Sequence, residues 1–328
     1  MQTINHGLLD GLCGEVLLKI ENIETIFNSK IDVINEINNL IIIFNSTNDY
    51  SLCSGKSGIY WFLNYINDKT TLHWNDKYKK QVEESIYNNF IIDLNNNYID
   101  YLYGALGKLR VLLDVQSDYL VKATNLIIDF SINYLIKLKS TTDVDFGLAH
   151  GILSLINIIC ELDFENERKK IILTNYYSFL IEFENNDNKT ECIFPLKLLN
   201  NELLFNSVDG WCYGDFIIIL TLTKIYSITQ NSDLFKKIND LTEKAIKKNK
   251  KYKSKSICHG YLGVILICEN IFYITKNKEL KYYIEKTKKT HRNLRHRNDY
   301  GILYGNYKYC DLKNLTIHTK KLLFLNEK

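Results

Sequence analysis

Two kinds of hydrophobic pattern alternate along the chain. Some stretches are apolar with little polar interruption, such as Ile152 to Cys160 and Val264 to Ile274, and these predict helices buried on nearly every side. Other stretches have apolar residues only along one helical stripe, and the clearest of these consists of Leu234, Ile238, Leu241 and Ala245. Ser232 stands before that stripe as the predicted N-cap. The alternation predicts helical hairpins, each with one buried and one half-buried helix.

A glycine motif precedes each buried stretch. It recurs as Gly11-Leu-Cys-Gly14, Gly55-Lys-Ser-Gly58, Gly104-Ala-Leu-Gly107, Gly151-Ile-Leu-Ser154, Gly214-Asp-Phe-Ile217, Gly260-Tyr-Leu-Gly263 and, less clearly, Gly305-Asn-Tyr-Lys308. The first glycines are 44, 49, 47, 63, 46 and 45 residues apart. A repeat of this size predicts a stack of seven helical hairpins.

The repeats favour a closed ring over an open stack. An open stack needs polar capping units, and neither end of this chain is more polar than its middle. We therefore predict an all-α fold of the α/α-toroid class, with apolar helices in an inner ring and amphipathic helices outside. No linker divides the sequence, so residues 1–328 are predicted to form a single domain. The glycines should begin the inner helices, which would bring their loops together at one end of the ring.

Composition excludes some function classes. The chain has 41 basic and 38 acidic residues, so its overall charge gives no support for nucleic acid binding. One basic stretch, Lys276 to Arg297, is either a solvated outer helix with its loop or a docking site for an acidic peptide. Apolar runs such as Phe216 to Leu222 are far shorter than the roughly 20 residues of a membrane helix. We expect a soluble, cytoplasmic protein without a transmembrane segment.

The cysteines are expected to be reduced. They occupy positions 13, 53, 160, 192, 212, 258, 268 and 310. The chain is long enough to fold without disulfides and lacks a cationic, apolar leader. Burial in the core is the expected role of Cys13 and Cys53, which lie in or near glycine loops, and the sequence assigns no role to the other four outside the motifs discussed next.

Cys212, Cys258 and His259 form a candidate zinc site. Cys212 lies in Trp-Cys-Tyr-Gly-Asp (211–215), and the other two lie in Cys-His-Gly (258–260). Two thiols and an imidazole suit zinc, and three protein ligands leave one tetrahedral position open, as in catalytic sites. The alternative is two buried thiols and a satisfied histidine. The three residues stand at equivalent positions of adjacent repeats, and this placement favours a zinc site over the alternative. His150, directly before Gly151, and Asp100, four residues before Gly104, lie in earlier glycine loops.

Together these motifs resemble the lanthionine synthetase C family. The resemblance covers about residue 7 to about residue 310, and it rests on Trp-Cys-Tyr-Gly at 211–214, Cys-His-Gly at 258–260, Ala-His-Gly at 149–151, Asp-x-x-x-Gly-x-x-Gly at 100–107 and the seven-fold repeat. It implies a toroid that holds zinc through Cys212, Cys258 and His259. It also implies a lantibiotic cyclase, an enzyme that adds cysteine thiols of a dehydrated precursor peptide to dehydroalanine or dehydrobutyrine and so forms thioether rings. A dehydratase and an ABC exporter are the implied partners, and binding to them would place the protein at the membrane periphery.

The resemblance also implies residue roles. Zinc converts a bound thiol to a thiolate, and the addition creates an enolate that must be protonated. His150 is implied as the acid–base group, with a plain hydrogen bond across the rim as the alternative. Asp100 is implied to orient His150 or the bound thiol, and capping of a helix is the alternative.

One departure from the family bears on function. Family members commonly carry an arginine four residues before the first zinc cysteine, and here that position is Val208. A fixed cation there would stabilise the enolate. Two other functions therefore stay open: a catalytically weakened scaffold that holds the precursor peptide, and another zinc–thiolate enzyme on a helical toroid, such as a prenyltransferase or an enzyme that adds glutathione to dehydroamino acids. The precursor, its ring pattern and the oligomeric state have no readable code in the sequence.

Overall fold

The structure, a computed structural model, describes residues 5–21, 30–67, 75–185, 191–205, 209–248, 252–291, 294, 301–304 and 317–325. Its helices are α1 (Leu12–Glu21), α2 (Lys30–Ser46), α3 (Lys56–Asn67), α4 (Asp76–Asn95), α5 (Ala105–Asp114), α6 (Leu120–Leu138), α7 (Ile152–Glu161), α8 (Asn166–Ile181), α9 (Asp215–Thr229), α10 (Ser232–Lys248), α11 (Tyr261–Thr275), α12 (Lys278–His291), α13 (Gly301–Tyr304) and α14 (Ile317–Leu322). Three short strands are β1 (Val144–Asp145), β2 (Lys197–Leu199) and β3 (Glu202–Leu204). Val208, Cys310 and the motif at 305–308 lie outside the described residues.

The predicted alternation of buried and amphipathic helices is present. Helices α1, α3, α5, α7, α9 and α11 each begin directly after the first glycine of a motif. Helix α7 is buried from Ile152 to Ile159, whereas α10 buries the predicted stripe. The predicted N-cap is wrong by one residue, because the side-chain oxygen of Asn231 accepts the hydrogen bonds from the backbone N–H groups of Asp233 and Leu234. Ser232 is instead the first residue of α10.

The chain divides into two compact units. Unit 1 comprises Met1–Asn125 and Arg297–Leu322, and unit 2 comprises Leu126–His296 and Leu323–Lys328. In unit 1, α13 packs on α1, α1 on α3 and α3 on α5, while α2 and α4 lie outside them. In unit 2, α7, α9 and α11 pack in that order, with α8 and α10 against α9 and α12 against α11. Each unit thus has an inner row and an outer row of helices, and the single domain stays a prediction.

Backbone hydrogen bonds join neighbouring glycine loops within a unit. In unit 1 the N–H of Leu303 donates to the carbonyl of Leu9 at 2.9 Å, and the N–H of Leu9 donates to that of Cys53 at 3.2 Å. The N–H of Cys53 in turn donates to the carbonyl of Leu102 at 2.9 Å. All four residues stand two positions before a motif glycine. The loops therefore lie side by side at one end of the inner helices.

A small antiparallel sheet consists of β1, which precedes Gly151, and of β2 and β3, which lie in the longest interval, between Gly151 and Gly214. Its strand order is β1-β2-β3, and Asp145 on β1 is paired with Lys197 on β2. Asn200 and Asn201 connect β2 to β3 with φ of 52° and 65°, the left-handed values of a two-residue hairpin turn. The sequence reasoning did not predict this sheet. None of the helices in the described part of the chain is both long and apolar enough to cross a membrane.

Candidate metal centre

The three predicted metal ligands lie together in unit 2. One ligand atom from each of Cys212, Cys258 and His259 falls within 4.8 Å of the other two. Both cysteines are buried, whereas His259 is exposed. Among the described histidine, cysteine and acidic side chains, this is the group found with metal-binding geometry. Two sulfurs and one imidazole nitrogen at this separation fit the donor set that zinc prefers.

Backbone contacts hold the two ligand loops against each other. The N–H of Trp211 donates to the carbonyl of Ile257 at 3.1 Å, and the N–H of Cys212 donates to that of Cys258 at 3.3 Å. The buried indole N–H of Trp211 donates to the carbonyl of Leu323 at 2.8 Å. The two loops that carry the candidate ligands are therefore held mainly by main-chain hydrogen bonds and by one buried aromatic side chain.

The glycine and aspartate after Cys212 shape its loop. Gly214 has a φ of +118°, which L side chains rarely adopt. The N–H of Asp215 donates to a carboxylate oxygen of Asp209 at 3.1 Å. One oxygen of the buried Asp215 carboxylate accepts from the backbone N–H groups of Ile193 and Phe194, each at 3.0 Å. These bonds connect the first turn of α9 to the segment that precedes β2.

The two cluster cysteines are bonded to each other as a disulfide, with their Cα atoms 5.4 Å apart. The Nε2 atom of His259 lies 3.9 Å from the sulfur of Cys258. The disulfide differs from the expectation of reduced thiols. A disulfide and a two-thiolate metal site both require sulfurs held side by side, but only the reduced pair supplies ligands. The two states of this pair therefore exclude each other.

The other described cysteines remain thiols, at positions 13, 53, 160, 192 and 268. Desolvation raises the pKa of Cys160 to about 12, and burial raises the pKa of Cys13 and Cys268 well above its usual range. Burial likewise raises the pKa of Cys53, which stands two residues before Gly55, the position that Cys212 and Cys258 occupy in their repeats. Thiols with such high pKa values are poor nucleophiles and poor ligands.

His150 lies in the loop next to that of Cys212. The N–H of Leu148 donates to the carbonyl of Cys212 at 2.7 Å, so the two loops are in direct contact. The His150 side chain is exposed, and its ring centre is 6.4 Å from that of Tyr213. The structure thus brings the predicted acid–base residue to the loop that carries the first cysteine of the cluster.

Asp100 belongs to unit 1. Its carboxylate accepts a hydrogen bond from the N–H of Tyr103 at 2.8 Å, inside the loop that precedes α5. This bond stabilises the loop locally, in line with the capping alternative. Its role toward the metal centre stays a prediction.

Sequence reasoning missed a polar cluster beside the centre. The hydroxyl of Tyr213 donates to Asp145 at 3.0 Å, and the ammonium of Lys197 lies 2.8 Å from the same carboxylate oxygen. Tyr213 follows a predicted ligand directly, which was a usable signal. Asp145 and Lys197 are 52 positions apart in the chain and carry no motif, so no local pattern connected them.

Two comparisons identify relatives. Residues 7–309 match the family described as lanthionine synthetase C-like protein. Among solved structures the chain is similar to nisin cyclase, with a TM-score of 0.74 and 20% sequence identity over 98% of this chain and 92% of that one. This likeness confirms the predicted all-α, α/α-toroid fold class. No curated sequence matches the chain. The chain therefore belongs to the lanthionine synthetase C-like family.

Proposed function

We propose that this protein is a zinc-dependent lanthipeptide cyclase. It adds cysteine thiols of a dehydrated precursor peptide to dehydroalanine or dehydrobutyrine residues of the same peptide. The observation that carries the proposal is the cluster of Cys212, Cys258 and His259 on adjacent loops of a lanthionine synthetase C-like chain. The name of the similar solved structure, nisin cyclase, supports the same reaction class.

The residues present fit a zinc ion. Reduced Cys212 and Cys258 would hold it through their sulfurs and His259 through a ring nitrogen, and the bound ion would lower the pKa of a peptide thiol at the open position. His259 is the exposed member of the cluster, which supports access of a peptide from its side. The backbone contacts between the two loops keep the ligands in place before the peptide arrives.

The reaction transfers one proton and needs neither an oxidant nor a reductant. The peptide sulfur forms a bond to the β-carbon of the dehydro residue, the carbon–carbon double bond is lost, and a proton is added to the α-carbon. We assign the proton transfers to His150, whose exposed imidazole accepts the thiol proton and returns one to the α-carbon. Its loop is bonded to that of Cys212, which keeps this group beside the bound thiol.

The test combines metal analysis with a thiol assay. Reduced wild-type protein, Cys212→Ser, Cys258→Ser and the control Cys160→Ser are loaded with zinc and mixed with a dehydrated peptide that contains cysteine. Ring closure leaves the peptide mass unchanged but removes a thiol that N-ethylmaleimide would otherwise label. We expect one zinc per chain and ring closure for wild type and Cys160→Ser, and loss of both for the two cluster variants. Zinc-free protein that closes rings at the wild-type rate would disprove the proposal.

The same assay separates the alternatives. Val208 favours the scaffold, because the position lacks the cation expected of an active cyclase. A scaffold would bind the dehydrated peptide and leave its thiols available to N-ethylmaleimide. A zinc enzyme with another thiol substrate would consume glutathione or another thiol in place of the peptide cysteine. The dehydratase and exporter partners and the cytoplasmic location remain predictions, to be tested by co-purification.

A further inference from the structure

The small sheet contacts the candidate centre through Asp145 on β1. Its Oδ2 atom accepts the hydroxyl proton of Tyr213 at 3.0 Å and lies 2.8 Å from the ammonium of Lys197. Its Oδ1 atom accepts the N–H of Gly147 at 2.8 Å. Three segments meet at this carboxylate: the loop of Cys212, the loop of His150 and strand β2.

The ring of Tyr213 lies tightly between the first two of these segments. A Cβ atom at Gly147 would overlap the Tyr213 ring, so the ring is packed against the backbone of the His150 loop. The ring centre of His150 is 6.4 Å from that of Tyr213, and a backbone hydrogen bond from Leu148 to Cys212 joins the two loops. A movement of the Tyr213 ring toward Gly147 would therefore displace the His150 loop.

We infer that Asp145 and Lys197 are positioning residues that hold Tyr213 between the two loops and so fix His150 relative to the metal centre. This inference rests on the proposed function. Asp145 supplies the acceptor that fixes the direction of the phenol. Lys197 holds the carboxylate in turn, since a charge-assisted hydrogen bond is shorter and stronger than a neutral one.

The register of the sheet places Lys197 next to the Asp145 carboxylate. Asp145 and Lys197 are directly opposite each other on antiparallel strands, so their side chains point to the same face. The Lys197 side chain is 43% exposed and that of Asp145 is 18% exposed. A pair exposed to this degree adds little to global stability. Its loss should therefore leave the fold intact and affect the geometry of the site, where a misplacement of about 1 Å can lower a rate by about 100-fold.

The test uses Asp145→Asn, Lys197→Met, Lys197→Arg and a control, Lys244→Met. Lys244 is 37% exposed and pairs with Asp240 on α10 and with Glu184 in the loop after α8, in the same unit. Zinc content, kcat and KM are measured with a dehydrated peptide. We expect kcat to fall about 10- to 100-fold in Asp145→Asn and three- to tenfold in Lys197→Met, with recovery in Lys197→Arg. Zinc content, KM and the control should stay within about twofold of wild type.

Two results would overturn the inference. One is a kcat within twofold of wild type in both Asp145→Asn and Lys197→Met. The other is a parallel loss of zinc and kcat, which would place these residues in the support of the ligands. If wild type closes no rings, the proposed function fails, and amide hydrogen exchange still tests the positioning role. The amide of Leu148 should exchange at least tenfold faster in Asp145→Asn than in Lys244→Met, and equal rates refute the role.

Discussion

Replacing Gly210 with alanine should lower both the zinc affinity and the free energy of unfolding. Gly210 lies two residues before Cys212, and its Cα faces the backbone of Cys258 and His259. An added Cβ would overlap the carbonyl oxygen of Cys258 and lie 2.8 Å from both the carbonyl carbon of Cys258 and the Cα of His259. All three contacted atoms belong to backbone, so no side chain can move aside to make room.

The expected magnitude follows from the overlap. To restore an ordinary carbon–oxygen contact, the loops must separate by about 1 Å. Overpacking of this kind typically costs about 1–3 kcal/mol of folding free energy. Zinc–ligand distances tolerate only about 0.2 Å, so a displacement of that size breaks the donor geometry. We expect the zinc affinity to fall at least tenfold, and up to about 100-fold, as observed when supporting contacts of metal ligands are removed.

A matched variant separates the two effects. A Cβ at Gly107 in unit 1 would overlap the carbonyl oxygen of Tyr101 in the same way, away from the ligand loops. Zinc affinity is measured by competition with a chromogenic chelator, and stability by urea denaturation of both zinc-loaded variants. Gly107→Ala should lose stability with wild-type zinc affinity, whereas Gly210→Ala should lose both. Equal zinc affinities in the two variants would refute the reasoning.

Three further predictions test other parts of the structure. Trp211→Phe should lower the free energy of unfolding by about 1–3 kcal/mol, because the buried carbonyl of Leu323 loses its hydrogen-bond donor. Urea denaturation measures this change, and a loss below about 0.5 kcal/mol would contradict the prediction. Zinc-free protein treated with diamide should form an intramolecular Cys212–Cys258 disulfide, detectable in a peptide digest, and bound zinc should prevent this reaction. Disulfide formation at the same rate with zinc present would count against the metal site. Burial raises the pKa of the Asp10 carboxyl, so the folded chain binds the carboxyl proton more tightly than the unfolded chain does. The stability that this proton contributes is complete below about pH 3.8 and is lost as the pH rises through the raised pKa. Asp10→Asn should therefore raise the melting temperature more at pH 7 than at pH 4, and an equal rise at both would show that the charge is not the cause.

The repeat made most of the helical arrangement predictable. A single glycine pair is a weak signal, but its recurrence with an apolar stretch after each copy placed the start of six inner helices to the residue. Local rules were less accurate at the helix ends. Ser232 and Asn231 are both good capping residues, and the sequence does not say which of two adjacent candidates turns its side chain toward the free N–H groups.

The clustering of Cys212, Cys258 and His259 was predictable for a different reason. Cys212 and Cys258 occupy the same position in adjacent repeats, and neighbouring loops are joined at that position by backbone hydrogen bonds. Once the repeat is recognised, equivalent positions become spatial neighbours, and residues 46 positions apart can be treated as a pair. Cys53 shows the limit of this reasoning. It stands at the equivalent position in its own repeat, but its loop neighbours there are Leu9 and Leu102, which offer no ligand atoms in their side chains.

The sheet could not be predicted from local pattern, and the reason lies in its size. Strands of two and three residues are too short to show alternation, and the pairing of Asp145 with Lys197 spans a helical hairpin. The one available signal was the spacing of 63 residues between Gly151 and Gly214, against 44 to 49 elsewhere. A regular repeat positions the loops at one end of the helices, but it cannot say which side chains stand around the ligands. Extra residues inserted directly before a ligand loop have to pack somewhere near it, and here they bring Lys197 to the carboxylate that binds Tyr213. In a repeat protein, the interval that breaks the period is thus the place to look for groups that surround the site.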